Sequence, residues 1–271
     1  MNTSHTNQGT PLRVVTWNIL AQSFVQPKRY PKTPPEVLEA DTRIPKILGR
    51  LKEINADVYC LQEVEPGMAE NIQAALGGSD VVLMHYAQRH GHTDGCALYV
   101  RRSAAEVSHL AVMRYAAGRG QSDRLAVAGA LRLKNGDHKR FGIASTHLDW
   151  QRDQTPPEQH LGRLQLVEFF EGYRALVPGC DAWLIAGDFN ATSQSCVLTE
   201  AQRQGWYLGA KTQRPWDTTN INGRCRKIDY ILYSTPELTP APEPLAPLSK
   251  HQLLPTLQEP SDHLPLVIGF R

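Results

Sequence analysis

The stretch Trp183-Leu-Ile-Ala-Gly-Asp-Phe-Asn190 decides the fold. Four apolar residues read as a buried strand, and a period of two then puts Asp188 and Asn190 on one side. A strand that is apolar until its end and then offers a carboxylate and an amide ends at something other than core. The same grammar recurs outward along the chain. Val14, Thr16 and Asn18 share a face of the run 14–20; Tyr59, Leu61 and Glu63 share one in 57–64; Ile143, Ser145 and His147 align in 141–148. Asp229 interrupts the apolar run 228–233, and Asp262 and His263 stand just before the run 264–270. Further strands read at 80–86, 96–101 and 125–133.

Helical spacing appears over 42–54, where Ile44, Ile47, Leu48, Leu51 and Ile54 line one side and Pro45 falls in the first turn. A second helix fits 159–176, with Leu161, Leu164, Leu166, Val167 and Phe170 as core contacts, and weaker ones fit 67–76 and 194–204. The links from 80–86 to 96–101 and from 125–133 to 141–148 are too short for helical crossovers, so those pairs are antiparallel. Nine strands against three or four helices predict an α/β fold: two mixed β-sheets packed face to face, with helices outside. Two long proline-rich loops, 21–40 and 235–260, stand out as functional segments.

The 271 residues are 41% hydrophobic and 21% charged, with 29 Lys+Arg against 27 Asp+Glu, which is ordinary globular composition. Disordered, collagenous and disulfide-scaffold classes are excluded. No apolar run approaches the roughly 20 residues a membrane span needs, and residues 1–10 are polar, so a cytoplasmic protein with no membrane span is expected. The five cysteines (Cys60, Cys96, Cys180, Cys196 and Cys225) are odd in number and widely spaced, and read as reduced, mostly buried thiols. The composition does not break anywhere, which argues for one domain; no feature demands an obligate protein partner.

Taken singly, each polar strand end has a local explanation. Asp188 and Asp262 suit turns and caps, Glu63 the cap of the next helix, Asn18 its own turn, and His147 a satisfied core position. Asp229, between Ile228 and Ile231, is harder to dismiss, because a carboxylate in such a strand must be paired, protonated or bound to a cation. Six coincidences with coherent chemistry point to one site. Oxygen-rich ligands with few cysteines suit Mg²⁺, or Mn²⁺, ions that leave positions for water and phosphate. Zinc fits less well: no H-E-x-x-H exists, and His85, His90 and His92 near Cys96 form no zinc framework. Nucleophilic-serine, P-loop and dinucleotide motifs are absent, and Gly118-Arg-Gly120 is not continued.

The ordered series Thr16-Trp-Asn18, Leu61-Gln-Glu-Val64, Thr146-His-Leu148, Gly187-Asp-Phe-Asn190, Ile228-Asp-Tyr-Ile231 and Ser261-Asp-His-Leu-Pro265 resembles the endonuclease/exonuclease/phosphatase superfamily. Val15-Thr-Trp-Asn-Ile-Leu-Ala-Gln22 and Thr93-Asp-Gly-Cys-Ala97 are similar to its nocturnin, angel and poly(A)-deadenylase branch, and Arg226-Lys-Ile-Asp-Tyr-Ile231 equally to bacterial stand-alone members. The resemblance implies a four-layer α/β sandwich forming a catalytic domain over 12–271, after a flexible 1–11. It also implies Glu63 as principal Mg²⁺ ligand helped by Asn18, with Asp229 or Asp262 as a further helper. Asp188 would position or deprotonate the attacking water, with Asn190 orienting it or the phosphate. His263, held by Asp229 or Asp262, and His147 would donate to phosphoryl oxygens, since phosphoryl transfer leans on positioning and charge neutralisation. At the rim, Arg163 and Asp94 are expected beside substrate, Arg163 as a fork for a second phosphate. Lys28, Arg29 and Tyr30 offer charge and a stacking face, and Trp150, Trp216 and Asn220 are further lining candidates.

The expected activity is Mg²⁺-dependent hydrolysis of phosphate esters, first of a phosphodiester in RNA or DNA. The second reading is a small ester: a nucleotide 2′-phosphate, a cyclic phosphate, an inositol phosphate or a phospholipid headgroup. Between Arg101 and Arg140 nine Arg+Lys face three acids. Found beside the cleft, that segment would favour polymer; found on the far face, a small substrate. An inactive binding module would have lost the metal glutamate, Asp188 or the final histidine, and all are present.

Overall fold

The computed structural model describes residues 11–87, 94–134, 139–210 and 216–271. The segment expected to be a flexible N-terminus and the ring positions of His85, His90 and His92 fall outside what is described, apart from Pro11. In chain order the elements are β1 (Leu12–Asn18), α1 (Pro35–Leu38), α2 (Ala40–Ile54), β2 (Val58–Val64), α3 (Pro66–Leu76), β3 (Val81–Ala87), β4 (Gly95–Arg101), β5 (Ala105–Arg114), β6 (Leu125–Leu133) and β7 (Arg140–His147). They continue with α4 (Leu161–Leu176), β8 (Ala182–Asp188), α5 (Cys196–Arg203), β9 (Tyr207–Leu208), β10 (Thr219–Ile221), β11 (Arg224–Arg226), β12 (Asp229–Tyr233), β13 (Pro240–Pro242) and β14 (Leu266–Phe270).

Alternation along the strands builds the layers. One six-stranded sheet runs β13-β14-β1-β2-β4-β3 and the other β5-β6-β7-β8-β12-β9. Each holds one parallel pair, β1 with β2 and β7 with β8; the other pairs are antiparallel, so both sheets are mixed. Val14, Cys60 and Leu98 meet Val127, Ile143 and Leu184 between the sheets. On the outer faces, Trp17, Tyr59 and Leu61 pack on Ile47 and Leu51 of α2 and Ile72 of α3, while Ala144 and Ile185 pack on Leu166 and Phe169 of α4. Each such aliphatic burial contributes ~1.5–3 kcal/mol. The parallel pair β7–β8 needs Gly187: a Cβ there would lie 2.0 Å from the Thr146 carbonyl oxygen. The four-layer sandwich expected from the sequence is therefore the fold.

Several local expectations change. Helix α2 starts at Ala40, so Pro45 lies in the second turn, and its buried face is Arg43, Ile47, Leu51 and Ile54, with Ile44 and Leu48 half-buried. In α4, Leu166 and Phe170 are core, but Leu161, Leu164 and Val167 are only half-buried. Phe169 and Tyr173 take the buried stripe instead, because they meet Trp183 edge-on at 6.1 and 5.0 Å. Strand β5 was not anticipated; it is an edge strand with exposed polar side chains, and a bulge between Val107 and His109 breaks its alternation. The loop 21–40 contains two 3₁₀ turns and α1, and 235–260 contributes β13. Both are stapled by buried Arg43, which donates to Ile19 O at 2.9 Å, Leu20 O at 2.7 Å, Pro260 O at 2.8 Å and Gln22 Oε1 at 2.6 Å. All five cysteines are free, but only Cys60 and Cys96 are fully buried. No helix among the described residues is long and apolar enough to cross a membrane.

Candidate active site

The inter-sheet core becomes polar at one end of the sandwich, where β1, β2, β7 and β8 terminate and β12 begins. The transition starts with Gln62, which donates from Nε2 to Ser145 Oγ of the opposite sheet at 3.1 Å. Beyond it, Asn18, His147, Asp188 and Asp229 follow the inward-facing parity of Val14, Ile143, Ala186 and Ile231, as alternation predicts. Glu63 does not. Tyr59 and Leu61 belong to the helix-side layer, so strict alternation would aim Glu63 away from the site. A bulge between Leu61 and Val64, with Glu63 at φ 56°, turns its side chain over into the cleft. Leu20 at φ 59° and Asn190 at φ 50° share this left-handed backbone, so three such residues gather at the site.

Asp188 is the focus. Its Oδ1 accepts from Asn190 N at 2.8 Å, and its Oδ2 accepts from Asn18 Nδ2 at 3.1 Å. His147 Nε2 lies 3.4 Å and His263 Nε2 3.7 Å from that same Oδ2. His147 Nε2 is also 3.0 Å from Asn190 Nδ2. His263 Nδ1 is 2.9 Å from Asp229 Oδ2, which settles the partner left open in sequence: it is Asp229. Asp262 instead accepts from Tyr30 Oη at 2.9 Å. The His263 segment is held by Trp17 Nε1, which donates to His263 O at 2.8 Å, and by Ser261 Oγ, which donates to Asn18 O at 2.7 Å. Burial pushes the Asp188 carboxyl up to about 6, with His263 opposing and Asp229 adding to the rise. Burial works against a charged His263, yet Asp229 and Asp188 hold its imidazolium well above the ordinary range.

Glu63 accepts from Asn18 Nδ2 at 3.0 Å and from Ala21 N at 3.1 Å. Burial, then the neighbouring Asp262, push its carboxyl to about 7. Neither carboxylate is ion-paired with Lys or Arg among the described residues. Two close carboxylates with no Lys or Arg ion-paired to them are a donor set that fits a hard divalent cation. Asp188, Asp229 and His263 also bring ligand atoms within 4.8 Å of one another. The 2.9 Å contact to Asp229 occupies His263 Nδ1, while Asp229 Oδ1 is buried without a hydrogen-bond partner; Glu63 and Asp262 form a second candidate carboxylate pair beside that trio. The Asn18 amide oxygen accepts from Leu20 N at 3.0 Å, and its NH₂ bridges Glu63 and Asp188.

The cleft above these residues has a volume of about 670 Å³. Arg29 lines it, and Trp150 stands on its rim at 55% exposure. The other rim expectations resolve differently. Tyr30 is buried on Asp262 and offers no stacking face. Lys28 is exposed and does not line the cleft. Arg163 is spent on Glu200 at 2.9 Å and Pro157 O at 3.1 Å, away from the cleft. Asp94 is buried behind Glu63, whose carboxyl it helps raise. Asn220 points away, donating to Ser249 O and Gln252 O at 2.8 Å, and Trp216 packs on the inter-sheet core.

Sequence reading missed the hairpin β10–β11, which forms one wall and presents Arg224 and Arg226 to the cleft. Its signal was Asn222-Gly223, both at positive φ, a two-residue hairpin turn between alternating residues. Thr219 Oγ1 pins the hairpin to Asp262 O, and Asn222 Nδ2 donates to Arg29 O at 3.0 Å. Arg124 of the basic segment was also missed as a lining residue. The rest of that segment divides: Arg101, Arg102, Arg132, Lys134, Lys139 and Arg140 lie at the opposite end of the sheets, where β4 turns into β5 and β6 meets β7.

The model of the Endonuclease/Exonuclease/phosphatase family matches residues 15–263. Nocturnin of Rattus norvegicus is 28% identical over 300 residues, covering 100% of this chain and 68% of that protein. The Homo sapiens 2′,5′-phosphodiesterase 12 is 24% identical over 324 residues, covering 96% of this chain and 51% of that protein. The crystal structure of ANGEL2, a 2′,3′-cyclic phosphatase, in complex with adenosine-2′,3′-vanadate, superposes with a TM-score of 0.78 at 20% identity, over 97% of this chain and 96% of that one, a likeness of fold. With the fold, the ordered motifs and the matched span in agreement, this chain belongs to the endonuclease/exonuclease/phosphatase family.

Proposed function

We propose that this protein is a divalent-metal-dependent phosphoesterase acting on nucleic acid or nucleotides, with Mg²⁺ as its cation and Mn²⁺ as a substitute. The observation that carries the reading is the convergence of two imidazoles, the Asn18 side-chain amide and the Asn190 backbone N–H on Asp188, beside the carboxylates of Glu63 and Asp262. Glu63, with Asp262 beside it, would hold the cation, which would supply charge neutralisation for the phosphoryl oxygens. The chain's own groups do the rest. Asp188 holds the attacking water and takes its proton, which its carboxyl, raised to about 6, accepts near neutrality. Asn190 orients Asp188 through its backbone N–H, and Asn18 spaces the two carboxylates. His263, held as an imidazolium by Asp229, presents Nε2–H to a phosphoryl oxygen, and His147 flanks the same point from β7.

Within this class, a short substrate is favoured by two observations. Six of the nine basic residues of the 101–140 segment lie far from the cleft, so that segment lays no long cationic track to it among the described residues. The cleft volume of about 670 Å³ falls within the ~300–1,000 Å³ of small-molecule sites. Trp150 offers one base a stacking face.

The test is hydrolysis with Mg²⁺ or Mn²⁺ on a panel of poly(A), single- and double-stranded DNA, 2′,3′-cyclic-phosphate-ended RNA, nucleotide 2′-phosphates and inositol phosphates, beside Glu63→Gln and Asp188→Asn. One substrate class should turn over, stop with EDTA, and fall at least ~10²-fold in both variants. Turnover that survives EDTA, or both substitutions, would remove the site assignment; silence on the whole panel would remove the phosphoesterase reading.

A further inference from the structure

We propose that Arg124 is a phosphate ligand of this cleft and that Asp149 is the residue that positions it. The inference rests on the phosphoesterase reading above and adds to it a cation that belongs to the chain itself. Arg124 directly precedes β6, beside the end of β7 that carries His147: two residues further on, Ala126 pairs with Thr146. Its side chain lines the cleft, yet is only 10% exposed. A guanidinium at that depth loses much of its hydration, which partners must replace.

Asp149 replaces only part. Arg124 Nε donates to Asp149 Oδ1 at 3.4 Å, long for a charge-assisted bond, and on one edge only. The carboxylate cannot turn to chelate the fork, because it is locked from other directions. Ser122 Oγ and Gln165 Nε2, the latter at 2.8 Å, donate to Asp149 Oδ2, while Gln165 Oε1 accepts from Asp149 N at 2.9 Å. The loop leading to Arg124 is clamped onto α4 as well: Ala116 N and Ala117 N donate to Glu168 at 2.6 and 2.8 Å, and Gln165 Nε2 donates to Ala117 O at 3.0 Å. Gly118, at φ +80°, lets the turn close, since a Cβ there would sit 2.7 Å from Ser122 Oγ and 2.9 Å from Asp149 Oδ2.

The outer edge of the guanidinium remains. Neither Arg124 Nη has a hydrogen-bond acceptor among the described residues, and neither is sealed from the cleft. A planar fork fixed along one edge and open along the other, in the cavity that holds Asp188 and His147, matches two non-bridging oxygens of one phosphate group. An arginine kept only to balance Asp149 would leave that edge without a purpose.

The experiment uses the full chain and the variants Arg124→Gln, Arg124→Lys, Arg124→Ala and Asp149→Asn, with thermal melting as the check on folding. Two readouts are taken: kcat and KM on the phosphate ester the parent hydrolyses, and calorimetric titration with inorganic phosphate in EDTA. Arg124→Gln should lower kcat/KM by ~10²-fold and weaken phosphate binding at least ~10-fold, with Arg124→Lys intermediate because it keeps charge but not the fork. Asp149→Asn should raise KM more than it lowers kcat. Added guanidinium should restore part of the activity of Arg124→Ala, which a purely structural role would not allow. Parent-like kcat/KM and phosphate affinity in folded Arg124→Gln overturns the proposal. A parent that hydrolyses no phosphate ester instead overturns the phosphoesterase reading, and the phosphate titration then decides Arg124 alone.

Discussion

At the scale of the residue, the site depends on how each polar atom is spent. Asp229 is wholly buried, and its Oδ2 fixes which ring nitrogen of His263 faces Asp188. Asp229→Asn keeps the volume but removes the negative charge that keeps His263 doubly protonated, so the proton on Nε2 is no longer secured while Nδ1 keeps its own. The expected result is a fall in kcat of ~10²–10⁴-fold with KM changed little, read by steady-state kinetics; an unchanged kcat would show that His263 needs no such partner. Asn18, Asp188, His147 and Asp229 were legible in sequence, because period-two alternation carries their parity to the end of each strand. Glu63 was legible only as a residue type, since a left-handed bulge and not alternation aims it. Tyr30 and Arg163 were misread, because a tyrosine or arginine near a site has several partners to choose from, and Asp262 and Glu200 were invisible as choices.

At the scale of the element, Glu200 clamps α5 to α4. Its carboxylate accepts from Arg163 Nη2 at 2.9 Å, Arg203 Nη2 at 2.6 Å and Gln204 Nε2 at 3.0 Å, and these partners, Arg203 first, hold it down to about 2. A carboxylate lowered on folding contributes stability that is present above its unfolded value of roughly 4.3 and is lost as pH falls toward 2. After discounting for the exposed Arg203, Glu200→Gln should cost ~1–2 kcal/mol at pH 7 and flatten the loss of stability between pH 4.5 and about 2, measured by urea unfolding across pH. A parallel pH dependence in parent and variant would show that the clamp contributes nothing. Helices α2 to α5 and nine of the strands were readable from periodicity. Strand β5 and the β10–β11 hairpin were not, since an edge strand and a hairpin wall bury too little on either face to leave a pattern.

At the scale of the whole molecule, Arg43 ties the segment after β1, which carries the Leu20 turn beside Asn18, to the segment that carries Asp262 and His263. Arg43→Leu leaves three carbonyls without their donor, so stability should fall by ~3–5 kcal/mol, and KM should rise as Asp262 and Glu63 lose their register. Thermal melting and steady-state kinetics check both; a variant that melts like the parent would make the staple redundant. What the sequence by itself determined is the layer order and the class of chemistry, because alternation and helical spacing are local and repeat over many residues, and because carboxylates, amides and imidazoles recurring together at six strand ends share a use that turns and caps, which explain each singly, do not supply. Only the tertiary structure decided who partners whom. It set Asp229 on His263, Tyr30 on Asp262, Arg163 on Glu200 and Arg124 at the open edge of the cleft. Those choices depend on distances of a few ångströms between segments far apart in the chain, and no local pattern encodes them.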